Sequence, residues 1–241
     1  ALKGGTAIQG LVFGFKRLSV DIDLNYIGSL DREIMQLESE QTAHKQEKDE
    51  ATRRYHPGAQ VVSLSRSVLT RLPLREAAKP FLRQLMERTG ECAHLAVPAQ
   101  GKVLYIDQVE SPATLRVNAQ VGTMNPLHCT ALGKALLAFG DLEPPHEFER
   151  YTKRTIQSKS SLLVNLEDIR KVGYAVDDEE FDPGVRCIAV PIYDFRGKVV
   201  GSMGISGPSS RVTTDKLPHL AAIVVETGKA LSERLAFSRQ E

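Results

Sequence analysis

The sequence predicts an α+β fold in which an antiparallel sheet is flanked by helices. Apolar segments with the length and composition of strands come in two pairs, and a short glycine-containing turn joins the members of each pair. Segments with apolar residues at helical spacing precede, separate and follow these pairs. Hairpins that alternate with helices are typical of an antiparallel sheet with helices on one or both of its faces.

The first helix is predicted between residues 74 and 90. Pro80 should kink this helix or mark its true start, and Gly90 is well placed to end it. The stripe that would face the core consists of Leu74, Ala77, Ala78, Phe81, Leu82, Leu85 and Met86.

The first pair of strands is predicted at residues 92–98 and 102–109. The three residues between them, Ala-Gln-Gly, have the composition of a hairpin turn. Residues 114–121, with the sequence TLRVNAQV, offer a third strand.

Two helices are predicted to follow. Thr130 has a side chain suited to capping a short apolar helix over residues 131–139. A second helix over residues 161–173 places Leu162, Leu166 and Ile169 on one face and ends at a glycine.

A second hairpin and a long helix complete the pattern. The apolar runs 186–194 and 198–206 surround an Asp-Phe-Arg-Gly turn. The final helix, over residues 213–237, tolerates Pro218 because proline is accepted in a first helical turn. Its apolar stripe consists of Leu217, Leu220, Val224, Leu231 and Leu235.

Composition excludes several classes of protein. The chain has 31 basic and 30 acidic residues, so its surface as a whole is not a nucleic-acid footprint. Three cysteines without a Cys-x-x-Cys spacing indicate neither a disulfide framework nor a zinc ribbon. No apolar run reaches the roughly 18 residues of a membrane span, and the start lacks a signal-peptide pattern. These features predict a cytoplasmic protein with no membrane partner.

Three segments of the second half carry chemistry. Residues 121–138 lead a loop into a helix start, where unpaired amides and the positive end of the helix dipole favour an anion. Residues 173–192 connect an acidic cluster to an apolar strand. Residues 201–208, with the sequence GSMGISGP, form a glycine-rich strand end that a ligand or another backbone can approach closely.

Residues 54–241 resemble the effector domain of IclR-family transcriptional regulators. The resemblance is carried, in order, by RYHPGAQVVSLSRSVL, PLREAAKPFLRQLMERTGECAHLAV, PLHCTALGKALLA and GYAVDDEEFDPGVRCIAVPIYDFRGKVVGSMGISGP, followed by the long last helix. It implies a GAF/profilin-like sheet and a non-enzymatic domain that senses a small organic acid and modulates oligomeric state and DNA binding. It also implies a homodimer or a dimer of dimers, no cofactor, and DNA binding through a helix-turn-helix.

The resemblance places the effector pocket on specific residues. Amides near Ala131 and Leu132 would hold a carboxylate, Asp177 and Ser206 would orient a hydroxyl or carbonyl, and Cys187 would help to set apolar shape. Gly204 stands where some members have a serine, which removes a hydroxyl and leaves room for a ligand larger or less polar than glyoxylate. The full set of expected effector-binding residues is Val117, Ala131, Leu132, Asp177, Val185, Cys187, Gly204 and Ser206.

Other interpretations of these residues stay open. The acidic residues that follow Asp177 are also typical of a solvated turn, and a cysteine in an apolar strand is usually a core residue. His128 beside Cys129 invites comparison with a zinc site, although no ligand cluster of recognised spacing accompanies them. Arg186 and Lys134 suit structural ion pairs as well as they suit ligand contacts.

Residues 1–35 do not contain the helices and basic recognition helix of a helix-turn-helix. Residues 1–28 instead resemble a fragment of an AbiEii-type nucleotidyltransferase toxin, with a Gly-Gly turn near Lys3 and an Asp-x-Asp pair at Asp21 and Asp23. Alternation along a strand points both carboxylates to one face, where they would bridge Mg²⁺.

Three domains are therefore expected. Residues 1–35 form a transferase-like fragment, residues 36–56 a polar linker or helix, and residues 57–241 the effector-binding domain. The alternative function is a metal-dependent nucleotidyltransferase fused to a sensor, and a third is a dimerisation module with a vestigial pocket. The sequence names neither the effector, the operator nor the sign of regulation.

Overall fold

The computed structural model describes residues 73–117 and 119–237. These residues form four helices, six strands and one 3₁₀ turn. In chain order they are α1 (Pro73–Thr89), β1 (Cys92–Ala99), β2 (Lys102–Val109), β3 (Met124–Pro126), α2 (Ala131–Phe139), α3 (Lys159–Val172), β4 (Ala175–Asp178), β5 (Val185–Tyr193), β6 (Val199–Pro208), the 3₁₀ turn (Thr214–Lys216) and α4 (Leu217–Phe237).

All six strands belong to one sheet with the order β3-β2-β1-β6-β5-β4. Every neighbouring pair is antiparallel. The two predicted hairpins form the pairs β1–β2 and β5–β6, and the contact of β1 with β6 joins them into one sheet. The predicted α+β class with an antiparallel sheet is therefore confirmed.

Turn geometry explains the first helix and hairpin. Pro80 lies inside α1, which begins at Pro73, so this proline does not mark the start of the helix. Gly90 adopts a positive φ of 72°, and its N–H donates to the Met86 carbonyl oxygen to close the last turn. In the β1–β2 turn, Gln100 and Gly101 both have positive φ, as a two-residue hairpin connection requires.

The prediction of a strand over residues 114–121 is wrong. The third strand of this region is the three-residue β3, which pairs with β2 between Lys102 and Leu104. Gly122 precedes it with a φ of 92°, and its N–H donates to the Tyr105 carbonyl oxygen in a turn. Leu115 is 66% exposed, so the apolar residues of this segment do not form the buried face of a strand.

The sheet buries a different set of side chains on each face. Met203 and Ile205 of β6 point to the face that α1 and α4 cover. Alternation turns Ser202, Gly204 and Ser206 to the opposite face, on which α2 lies, with α3 packed against α2. The second face is consequently the one on which small and polar residues meet a helix start.

Among residues 73–117 and 119–237, no helix is both long and apolar enough to span a membrane. The expectations for residues 1–35 and 36–56, including Asp21 and Asp23, fall outside the residues that the structure describes. The predicted domain boundaries stay predictions.

Candidate ligand-binding site

A cavity of about 310 Å³ lies between the second face of the sheet and the start of α2. All the residues predicted for the effector pocket contribute to its wall, although they come from separate parts of the chain. These residues are Val117, Ala131, Leu132, Asp177, Val185, Cys187, Gly204 and Ser206.

The start of α2 provides the part of the wall best suited to an anion. Thr130 is the N-cap, as predicted, and its hydroxyl oxygen accepts a hydrogen bond from the Gly133 N–H at 3.2 Å. Ala131 and Leu132 are the first two residues of α2, so helix geometry leaves their N–H groups without an intrahelical acceptor. Both residues line the cavity, so the positive end of the helix dipole lies at its wall.

Gly133 allows this helix start to sit against the chain that leads into it. A Cβ atom at Gly133 would lie 2.6 Å from the Leu127 backbone, which is too close for any other residue. Thr130 also donates its hydroxyl hydrogen to the Pro126 carbonyl oxygen at 2.7 Å. The loop and the first turn of α2 thus form one fixed unit.

Asp177 of β4 also lines the cavity and is only 2% exposed. Its Oδ1 accepts hydrogen bonds from the backbone N–H groups of Glu180 at 2.7 Å and Phe181 at 3.4 Å. Burial raises the pKa of Asp177 to about 7, although the Glu180 amide and the Lys134 charge oppose the rise. Near neutral pH a large fraction of this carboxyl group is protonated and can donate a hydrogen bond.

Three of the predicted side chains form a row across the sheet. Asp177 pairs with Cys187, and Cys187 pairs with Ser206, in the register of β4, β5 and β6. Burial raises the pKa of the Cys187 thiol well above its usual value, and the hydrogen bond with Ser206 only partly offsets that effect. Cys187 is therefore a neutral, weakly polar part of the cavity floor.

Gly204 is required for a reason that differs from the one predicted. A Cβ atom built on Gly204 would lie 2.1 Å from the Ile188 carbonyl oxygen and 2.8 Å from the Ala189 Cα. A serine at this position would push β5 and β6 apart before its hydroxyl reached a ligand. The glycine lines the cavity, but close approach of two strands explains it better than extra room for a ligand.

The acidic run after Asp177 is not a solvated turn. The Glu180 carboxylate is buried and forms an ion pair with Lys134. Asp178 pairs with Arg186 at 2.6 Å and with Arg154 at 2.5 Å. The ion pairs identify Lys134 and Arg186 as structural partners that hold the β4–β5 loop beside α2.

Sequence reasoning missed several polar residues of the cavity wall, among them His94, Tyr105 and Asn125. The imidazole of His94 is fully buried and meets the Tyr105 ring edge-on, with the ring centroids 5.6 Å apart. Burial lowers the pKa of His94 to about 4, so the ring is neutral at physiological pH. The available signal was a histidine inside the otherwise apolar strand CAHLAVPA.

The zinc-site interpretation of His128 gains no support. Nε2 of His128 lies 3.0 Å from the Glu149 carbonyl oxygen, and its ring packs against Phe148 and Tyr151. Within the described part of the chain, no three His, Cys, Asp or Glu residues are grouped to hold a metal ion.

Comparison with known protein families gives two matches. Residues 66–233 match the family described as "Bacterial transcriptional regulator IclR C-terminal". Residues 1–87 match the family described as "Nucleotidyl transferase AbiEii toxin, Type IV TA system". Both resemblances seen in the sequence are confirmed, and the second match extends further along the chain than the residues that suggested it.

Individual relatives agree with the first match. The HTH-type transcriptional regulator BhcR of Paracoccus denitrificans is 37% identical over 79% of this chain and 70% of its own length. The crystal structure of the Thermotoga maritima IclR is 29% identical, with a TM-score of 0.68 over 92% of this chain and 94% of that chain. The latter likeness confirms the GAF/profilin-like form of the predicted fold.

A third relative was solved with a ligand. It is the inducer-binding domain of a double mutant of the PobR transcription factor from Acinetobacter, in complex with 3-hydroxybenzoic acid. That domain is 25% identical, with a TM-score of 0.60 over 67% of this chain and 97% of the solved chain.

Proposed function

Because this chain belongs to the IclR family of bacterial transcriptional regulators, we propose that the cavity beside α2 binds a small organic acid as its effector. Residues 73–237 lie in the effector-binding domain of such a regulator, and members of the family bind DNA and small-molecule effectors. The observation that carries the proposal is a cavity whose wall includes both the start of α2 and the buried Asp177, whose pKa is raised to about 7.

The effector carboxylate lies at the amides of Ala131 and Leu132, where helix geometry leaves two donors without partners. Protonated Asp177 and the Ser206 hydroxyl then orient a hydroxyl or carbonyl of the ligand, and Val185 and Cys187 bound its apolar part. A volume of about 310 Å³ is at the lower end of small-molecule sites, which suits a compact acid. The aromatic acid bound to the PobR domain is a ligand of this kind.

The same proposal covers the regulator as an assembly. The chain forms a homodimer or a dimer of dimers in the cytoplasm, and effector binding changes its oligomeric state and its affinity for operator DNA. DNA is contacted through a helix-turn-helix that is not recognisable in this sequence. We assign residues 57–241 to the effector domain, residues 36–56 to a linker and residues 1–35 to a transferase-like fragment.

The AbiEii match over residues 1–87 favours a second candidate function for the N-terminal residues alone. In this interpretation Asp21 and Asp23 hold Mg²⁺ for nucleotidyl transfer. Incubation with Mg²⁺ and each labelled nucleotide decides the matter. Label transfer that Asp21→Asn abolishes would support a transferase, and its absence with all four nucleotides would contradict one.

We expect small carboxylic acids to raise the melting temperature of the full chain, whereas the matching amides do not. A ligand that binds only the folded state stabilises it in proportion to the logarithm of its concentration above Kd. The acid and its amide have nearly the same shape and differ in charge, so the comparison isolates the anion site. The measurement is a thermal-shift series with acid and amide pairs of benzoate, propionate and pyruvate; equal shifts for acid and amide would contradict the proposal.

The matched variants are Ala131→Pro and Ala131→Ser. Proline removes the Ala131 N–H yet is accepted at the first helical position, and Thr130 already has the extended backbone (φ −109°, ψ 143°) that a following proline requires. Serine adds similar bulk but keeps the N–H. Since a hydrogen bond to a charged group contributes about 1.5–3 kcal/mol, Ala131→Pro should weaken binding of the acid about tenfold or more relative to Ala131→Ser.

A further inference from the structure

The cavity wall contains a buried polar side chain, His94, for which no other residue that the structure describes provides a hydrogen bond. Both ring nitrogens of His94 are buried, and neither has a hydrogen-bond partner among the described residues. A buried polar group without a partner costs about 1–3 kcal/mol, so such groups are rare in folded proteins unless a ligand or ordered water satisfies them.

The neighbours of His94 do not supply the missing partner. The Tyr105 ring makes a T-shaped contact with the His94 ring, and its hydroxyl is hydrogen-bonded with the side chain of Asn125. The residue opposite His94 on β6 is Gly204, which has no side chain. His94 is itself one of the residues that line the cavity.

His94 also lies far from Asp177. It is on β1, and Asp177 is on β4, three strand positions away in the order β1-β6-β5-β4. Adjacent strands are about 4.8 Å apart, so the two backbones are separated by roughly 14 Å. A ligand group that meets His94 therefore lies at the end of the cavity remote from β4.

We propose that His94 is a specificity-determining residue that hydrogen-bonds a neutral hydroxyl or carbonyl group on the end of the effector remote from Asp177. The inference rests on the proposed function, since it assumes that an organic acid occupies the cavity. A neutral imidazole has one donor and one acceptor nitrogen and accommodates either group by its choice of tautomer. Its lack of charge at physiological pH means that it does not compete with the helix start for the carboxylate.

The test compares acids that share a skeleton and differ in one remote polar group. The probes are benzoate with 3-hydroxybenzoate and 4-hydroxybenzoate, and pentanoate with 4-oxopentanoate, titrated into the full chain by calorimetry. In the wild type, at least one acid with the added polar group should bind about tenfold more tightly than its unsubstituted parent, or tighter still. The added group satisfies a buried nitrogen that the parent acid leaves unpaired. If the wild type binds each substituted acid no more tightly than its parent, the proposal is overturned, irrespective of the results with variants.

Two variants separate specificity from packing. His94→Leu removes both nitrogens, so it should reduce the preference for the substituted acid over its parent to about onefold. His94→Gln restores one donor and one acceptor and should recover part of the preference. A preference that survives in His94→Leu would overturn the role of His94. If no acid binds the wild type at all, the proposed function fails instead.

Discussion

Lys134→Met should lower the free energy of unfolding by about 3–5 kcal/mol, because it leaves the buried Glu180 carboxylate without its counter-ion. The Lys134 side chain is 1% exposed, and its ammonium group pairs with Glu180. Burial raises the pKa of Glu180, which shows that desolvation of this carboxylate is already unfavourable even with the lysine present. Urea denaturation followed by circular dichroism measures the change.

The double variant and an exposed pair provide the controls. Lys134→Met combined with Glu180→Leu removes both charges and should recover most of the lost stability. Lys171 forms an ion pair with Asp168 on the exposed face of α3, and Lys171→Met should change stability by less than about 1 kcal/mol. A loss as small for Lys134→Met as for Lys171→Met would contradict the buried ion pair.

Asp177→Asn should stabilise the protein at alkaline pH and should have almost no effect near pH 4. The raised pKa of Asp177, about 7 against 3.8, means that the folded state binds a proton that the unfolded state releases. The stability that this group contributes is fully present below about pH 4 and is lost as the pH rises to about 7. A shift of about three pKa units corresponds to at most roughly 4 kcal/mol, and asparagine avoids that cost while keeping an oxygen for the Glu180 N–H.

Urea denaturation at about pH 4 and about pH 8.5 checks this difference. Asp178→Asn is the matched control, because its carboxylate is partly exposed and ion-paired with Arg186, so the substitution should not stabilise the protein. Asp177→Ala should be less stable than Asp177→Asn at both pH values, since it removes the acceptor for the Glu180 amide. A wild type and an Asp177→Asn protein of equal stability at both pH values would show that Asp177 ionises normally in the fold.

The longer elements could be predicted from the sequence because their apolar periodicity spans several turns or alternations. Thr130 and Gly173 were assigned correctly to helix ends, and the capping bonds of the structure account for both. The strands β3 and β4, with three and four residues, are too short to carry a pattern, and neither was predicted. The segment at 114–121 has strand-like composition, but it contributes Val117, Ala119 and Gln120 to the cavity wall and no strand to the sheet.

The site was predicted through a family resemblance rather than through local pattern. The structure brings the expected residues to one cavity, yet their role in binding an effector stays a proposal. His94 was missed because apolar alternation hides a single polar residue in a strand. The Lys134–Glu180 pair joins residues 46 positions apart, and no local spacing rule connects them.

The most direct test of the central claim is an NMR titration that follows the amide resonances of Ala131 and Leu132. The ligand is the acid that raises the melting temperature most. An effector carboxylate at the helix start predicts that both amide protons move downfield to saturation, with the same apparent Kd as calorimetry gives. A second cavity of about 230 Å³, lined by residues that include Pro98, Phe139 and Val199, lies elsewhere on the sheet. Fixed resonances at Ala131 and Leu132, with shifts confined to that cavity, would contradict the account.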